Sequence, residues 1–164
     1  MDLTDLERRI RALEDIEAIK QLKYRYADAC DRGYDADTLA DLFTEDAIWD
    51  GGVFGRYDGQ EAIRNYFRGV SSDIVFAMHY MMNPIIEVDG DQARGAWYLF
   101  QTCTFAEGNT PILGAAKYAE RYQRVHGTWK FRHLQLISIF WTPYEEGWVK
   151  RPFIQDGEIV GPGR

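Results

Sequence analysis

Tyr26, Asp31 and His79 are the residues in this chain whose types could do chemistry together. Tyr26 and Asp31 lie near the end of the stretch Leu3–Gly33, separated by five residues. That spacing is about 500° of rotation at roughly 100° per residue, a net offset of about 140°. The two therefore share no ridge, yet both can border one pocket if the last turn unwinds at Gly33. A carboxylate at a helix C-terminus faces the negative end of the helix dipole, so Asp31 needs a cation or a hydrogen-bond donor. Arg32 is the plain candidate. A histidine from elsewhere is the chemically productive one, because a carboxylate on one ring nitrogen leaves the other free to accept a proton.

The first element that must position these groups is a long helix. Leu3, Leu6, Ile10, Leu13, Ile16, Ile19, Leu22, Tyr26 and Cys30 recur at steps of three or four, the spacing of one buried stripe. Glu7, Arg8, Arg9, Glu14, Asp15, Glu17, Lys20 and Lys23 then define a face toward water. Asp35 and Asp37 offer N-caps for a short helix through Leu39, Leu42 and Phe43. Thr44-Glu45-Asp46 breaks it, Ala47-Ile48-Trp49 begins a strand, and Val53, Phe54 and Tyr57 make a second short strand after Gly51-Gly52. Ile63, Tyr66, Phe67 and Val70 place a third helix over Gln60–Val70.

From Ile74 the period changes to that of strands. Val75–Val88 is a long apolar run carrying His79 and broken at Asn83-Pro84, which implies a bend or an edge. Asp89-Gly90 is a two-residue hairpin turn. The return strand Gln92–Phe105 sets Ala93, Gly95, Trp97, Leu99, Gln101 and Cys103 on one face. Ile112–Val125 and Thr128–Trp141 form a last hairpin around His126-Gly127, and a Pro/Gly-rich tail follows with Tyr144, Trp148 and Phe153 as anchors. Helices followed by a bent antiparallel meander specify an α+β fold: a curved sheet wrapped around the long N-terminal helix, a cone with one open mouth. Residues 1–141 form one domain, and 142–164 a tail that can cover the mouth.

Bulk properties narrow the function. The chain has 164 residues, 46% hydrophobic and 15% aromatic, enough for a core without staples. A formal charge of −7 offers no basic surface for nucleic acid or anionic lipid. No apolar run reaches the roughly 20 residues that span a bilayer, and the charged N-terminus is unlike a signal, so a cytoplasmic protein is expected. Cys30 and Cys103 form no metal or disulfide pattern, and no cofactor motif is present.

Asp41-Leu42-Phe43-Thr44-Glu45-Asp46-Ala47 with Trp49, Gly59-Gln60-Glu61-Ala62-Ile63, and Tyr118-Ala119-Glu120-Arg121-Tyr122 leading to Gly127-Thr128-Trp129-Lys130-Phe131 together resemble the NTF2-like (cystatin-like fold) superfamily, in its SnoaL-like branch. The resemblance covers nearly all of 5–141. It is similar, at Tyr26, Asp31 and His79, to members that dehydrate or dehydrochlorinate without a cofactor. It implies that Asp31 pairs with His79, that the imidazole removes a proton from carbon, and that Tyr26 donates a hydrogen bond to substrate oxygen. Relatives often carry an arginine on the last strand where this chain has Leu134. The other readings are enolate chemistry of the isomerase or cyclase kind, and a non-catalytic binder of an apolar ligand. In the alternative structural reading, His79 is a satisfied core histidine and Asp31 a carboxylate bridged to Arg32.

Trp49, Phe54, Trp97, Leu99, Gln101, Tyr118, Leu134 and Leu136 are the expected walls of a pocket for a hydrophobic cyclic small molecule. Glu120 reads as a sheet-exposed carboxylate, His126 and His133 as surface residues, and Met78, Met81 and Met82 as core or interface filler. The apolar late strands, and the relatives' habit, imply a homo-oligomer, dimer or trimer.

Overall fold

The computed structural model describes residues 2–154. In chain order these form α1 (Leu3–Asp31), α2 (Ala36–Asp41), β1 (Phe43–Asp50), a 3₁₀ turn (Gly52–Phe54), β2 (Arg56–Asp58), α3 (Gln60–Asp73), β3 (Ile74–Asp89), β4 (Gln92–Phe105), a second 3₁₀ turn (Glu107–Asn109), β5 (Thr110–Val125), β6 (Thr128–Pro143) and α4 (Gly147–Lys150). One six-stranded sheet in the order β2-β1-β6-β5-β4-β3 wraps around the C-terminal half of α1. Only β1 and β6 run parallel; every other neighbouring pair is antiparallel.

The turns follow from local chemistry. Asp35 caps α2, its carboxylate accepting from the Thr38 backbone N–H at 3.2 Å. His126 and Gly127 both take positive φ, +49° and +79°, which lets a two-residue turn join β5 to β6. At Asn83 (φ +51°) β3 slips register between Met82 and Ile85, the bend expected from Asn83-Pro84.

Several expectations are corrected. Leu3, Leu6, Ile10 and Leu13 are exposed, Leu3 at 75%. A 29-residue helix is about 43 Å long at 1.5 Å per residue, and only its C-terminal half lies on the sheet. Conversely, Asp15 and Lys23 are buried rather than facing water. The Asp15 carboxylate accepts both Arg124 guanidinium nitrogens at 2.7 and 2.8 Å and the Trp129 indole N–H at 3.0 Å, tying the helix to the last hairpin. Thr44–Asp46 continues β1 rather than breaking the chain, and Val53 and Phe54 sit in a 3₁₀ turn, not a strand. Of the methionines expected as core or interface filler, which need no correction, Met81 packs against the core and Met78 and Met82 are exposed.

The 141/142 boundary falls within β6, which continues to Pro143. Beyond it the chain folds back: the Trp141 N–H donates to the Pro152 carbonyl at 2.8 Å, Phe153 bridges to Trp141, and Trp148 stacks on Phe140 at 5.2 Å. The Tyr144 ring is exposed, and only its backbone N–H ties back, donating to the Pro111 carbonyl at 2.9 Å. The rest of the expected tail, 155–164, lies outside the described residues.

Candidate active site

Asp31 is the last residue of α1, where Gly33 (φ +87°) and Tyr34 (φ +60°) turn the chain away. Arg32 does not serve Asp31; it pairs with Asp28 one turn back. The Asp31 carboxylate reaches β3 instead. Its Oδ1 lies 2.6 Å from His79 Nδ1, and the His79 backbone N–H donates to Oδ1 at 3.0 Å and Oδ2 at 3.2 Å. A carboxylate only accepts, so it selects the tautomer with the proton on Nδ1 and leaves the Nε2 lone pair free. The His79 side chain is 6% exposed and that of Asp31 26%, so the imidazole is sheltered and the carboxylate touches water.

His79 borders a hollow of about 40 Å³ inside the cone. Of the expected wall residues, Trp49, Phe54, Gln101, Tyr118 and Leu136 line it, as does Tyr26. Trp97, Leu99 and Leu134 do not. Trp97 meets Tyr24 of α1 edge-on at 6.2 Å and donates to the Tyr122 hydroxyl at 3.0 Å. Leu99 and Leu134 are likewise buried in the packed core. At Trp97 the inward face of the sheet is filled by the helix.

The Tyr26 oxygen accepts the Trp49 indole N–H at 3.0 Å, and its hydroxyl also meets the Cys30 thiol. Burial pushes the Tyr26 phenol well above its ordinary range, which keeps it a neutral donor. Cys30, also on the hollow, is pushed up by burial and then by Asp31, so it is a thiol rather than a nucleophile.

Seven residues of the hollow have no place in the expected set, Tyr34, Tyr66 and Trp141 among them. Tyr34 stacks on Phe67 and meets the His79 ring edge-on at 6.1 Å. Tyr66 packs against Trp49 at 4.7 Å, and Trp141 closes the hollow beside Phe54, 5.1 Å away. Tyr66 had a signal, the apolar face of the third helix. Tyr34 and Trp141 had none beyond being aromatic.

Glu120 is buried, not sheet-exposed as expected. It forms an ion pair with Lys23 and accepts the Tyr122 O–H. Burial, ahead of the opposing pull of Glu120, lowers the Lys23 ammonium below its ordinary value. His133 lies on strand β6 away from the hollow and is half-buried, its Nε2 enclosed without a partner among the described residues. Burial, then Arg121 and Arg56, lower its pKa. Among the described residues no group of three His, Cys, Asp or Glu could hold a metal ion, and no helix is long and apolar enough to cross a membrane.

A single curved sheet closed by a helix, with an acid–imidazole pair at the helix end facing an aromatic hollow, defines the class of small α+β cone proteins. The chain belongs to the SnoaL-like domain family, within the NTF2-like fold; the match covers residues 11–135. Gamma-hexachlorocyclohexane dehydrochlorinase of Sphingobium indicum is 30% identical over 107 residues, 64% of this chain and 69% of that protein. The crystal structure of a type 2 hexachlorocyclohexane dehydrochlorinase (LinA) is 27% identical with a TM-score of 0.76, over 98% of this chain and 99% of the other. The type 3 enzyme of Novosphingobium barchaimii LL02 gives 27% and 0.74, over 97% and 99%.

Proposed function

We propose that this protein is a cofactor-independent lyase that eliminates water or hydrogen halide from a hydrophobic cyclic small molecule. The contact of 2.6 Å between Asp31 and His79 Nδ1 carries the reading, because it leaves Nε2 as a base on the hollow. Nε2 takes a proton from a ring carbon, and Asp31 stabilises the imidazolium that forms. Tyr26 donates to the departing or charge-bearing atom, and the apolar walls strengthen each of these interactions by excluding water. No step calls for a metal or organic cofactor. The dehydrochlorinase relatives support the reaction kind.

The protein is proposed to act in the cytoplasm as a dimer or trimer. Phe76, Met78, Tyr80 and Met82 alternate along β3 as an exposed apolar row suited to a second copy. The segment after β6, with Trp141 and Phe153, is proposed to cover the mouth.

The test is turnover of two ring classes, gamma-hexachlorocyclohexane and a 3-hydroxy ring ketone, followed by product mass. Loss of hydrogen chloride or water is expected. His79→Ala and Asp31→Asn should each lower the rate by about 10²- to 10⁴-fold, the usual size of a general-base contribution. Unchanged rates in His79→Ala, or a product of unchanged mass, would refute the reading.

A further inference from the structure

The outer face of the sheet, turned away from helix α1, carries a row of polar groups that the proposed elimination does not use. Glu87 of β3 stands opposite Arg94 of β4, Arg94 opposite Arg121 of β5, and Arg121 opposite His133 of β6. Glu87 forms an ion pair with Arg94 and so engages it. Arg121 is left between a like charge and an imidazole, and it makes no ion pair or hydrogen bond among the described residues. Like charges directly opposite in a sheet are unfavourable, so this placement has to be answered by something outside the row.

A bulge in β6 builds the other end of the row. Arg121 faces His133 and Tyr122 faces Phe131, so Arg132 is the extra residue. Phe131 and Leu134 are both buried in the core, which leaves Arg132 and His133 side by side on the outer face. Arg132 is drawn to Asp46 of β1. His133 has no such partner, and its Nε2 is enclosed with nothing to bond among the described residues. Burial, then Arg121, Arg56 and Arg132, disfavour a proton on this imidazole, and of the charged groups around it only Asp50 favours one. The surroundings are those of a place that lacks an anion.

Arg121 and His133 border a cleft of about 370 Å³, within the roughly 300–1,000 Å³ of sites that take small molecules. Ile85, Ala96 and Ala119 give it an apolar floor beside the polar row, and the Glu87 carboxylate that also lines it is spent on Arg94. We propose that this cleft is a second binding site, for an organic carboxylate with a compact apolar body, held by the Arg121 guanidinium and the Nε2–H of His133. A single free guanidinium beside a neutral imidazole matches the two oxygens and single charge of a carboxylate. A phosphate dianion would leave oxygens unserved and bring its second charge toward Glu87. The cleft lies on the opposite side of the sheet from the hollow at His79, so the site stands independently of the elimination.

The test is nuclear magnetic resonance of the histidine rings in the full chain, with benzoate and its uncharged counterpart benzamide as probes. The His133 signal is the one missing from His133→Gln. Benzoate is expected to shift that ring saturably and to move its titration midpoint to higher pH, because a bound anion favours the imidazolium. Benzamide should bind about tenfold or more weakly, the size of a hydrogen bond between charged groups. Arg121→Gln alters an exposed side chain that the fold does not use, and it should weaken benzoate by a similar factor of about tenfold or more. His79→Ala should leave benzoate binding unchanged, which separates the fate of this site from that of the base. Sedimentation of the same samples distinguishes a free acid from a carboxylate supplied by a second copy of the chain. Release of smaller species by benzoate would assign the site to that second copy and overturn the proposal. Absence of a saturable shift at His133, equal binding of benzamide, or unchanged affinity in Arg121→Gln overturns it as well.

Discussion

Replacing Lys23 by methionine removes one half of the enclosed pair and leaves the other. Glu120 keeps only the Tyr122 hydroxyl as a donor, with its side chain wholly out of reach of water. Breaking a buried pair from one side costs about 3–5 kcal/mol, because the surviving charge is left uncompensated. For a chain of this length each kcal/mol lowers the melting temperature by roughly 2–4 °C, so Lys23→Met should melt about 6–20 °C below the wild type. Glu120→Gln keeps an acceptor for Tyr122 but strands the ammonium against Tyr118, and a drop of similar order is expected. In Lys23→Met/Glu120→Gln neither charge remains, and stability should return to within about 1–2 kcal/mol of the wild type. Urea denaturation of the four proteins closes the cycle. A double variant that loses the sum of the two single losses would refute the reasoning, since it would mean that the residues do not act as a pair.

Asp15 gives a pH signature. Burial alone would raise its carboxyl, but the hydrogen bonds from Arg124 and Trp129 outweigh burial and hold it below the ordinary 3.8. A carboxyl lowered in the folded state stabilises fully above its unfolded value, and the contribution is lost as pH falls through the folded one. Thermal melts below pH 4 should therefore show a loss in the wild type that Asp15→Asn lacks, the variant being the weaker protein at neutral pH. Gly114→Ala tests the wall of the hollow: its Cβ would fall 2.4 Å from the Trp141 ring, so the indole must move. A loss of about 1–3 kcal/mol is expected, with a shifted tryptophan emission; an unchanged melt would show that Trp141 yields freely.

What the sequence could and could not convey follows from the range of each signal. β4 spans Gln92–Phe105 as its strict alternation requires, but the two turn residues are Gly90 and Asp91, one place later than the expected Asp89-Gly90, because Asp89 still pairs with Gln92. The corner at Gly33 brings Asp31 to His79 because a helix-end carboxylate needs a donor and β3 supplies two. Where the reading failed, the information was not local. Leu3, Leu6, Ile10 and Leu13 repeat like core residues whether their face meets this chain's own sheet or projects past it. Lys23 and Glu120 each sit at a position that looks polar and solvated, and their pairing joins residues 97 apart. Alternation places Trp97, Leu99 and Gln101 on one face, but it cannot say that helix α1 fills the face at Trp97 and releases it at Gln101.

The hollow's size bears on how any ring could reach His79. At about 40 Å³ it is far below the roughly 300–1,000 Å³ of sites that enclose small molecules. The walls that could yield are unequal. Tyr26 is held by Trp49, and Tyr34 is clasped between Phe67 and His79, so moving Tyr34 disturbs the base. Phe54 stands instead on a three-residue 3₁₀ turn between Gly51 and Gly55, and it meets Trp141 edge-on. Trp141 is tied by one indole bond to Ser138 and by the returning chain at Pro152 and Phe153. These contacts are few and lie at the sheet's end, where local opening costs least. The stretch after β6 rests on Trp141 at this side of the hollow. The acid, the imidazole and Tyr26 are each held by a hydrogen bond to a neighbouring element, which is the pre-organisation that the proposed elimination requires.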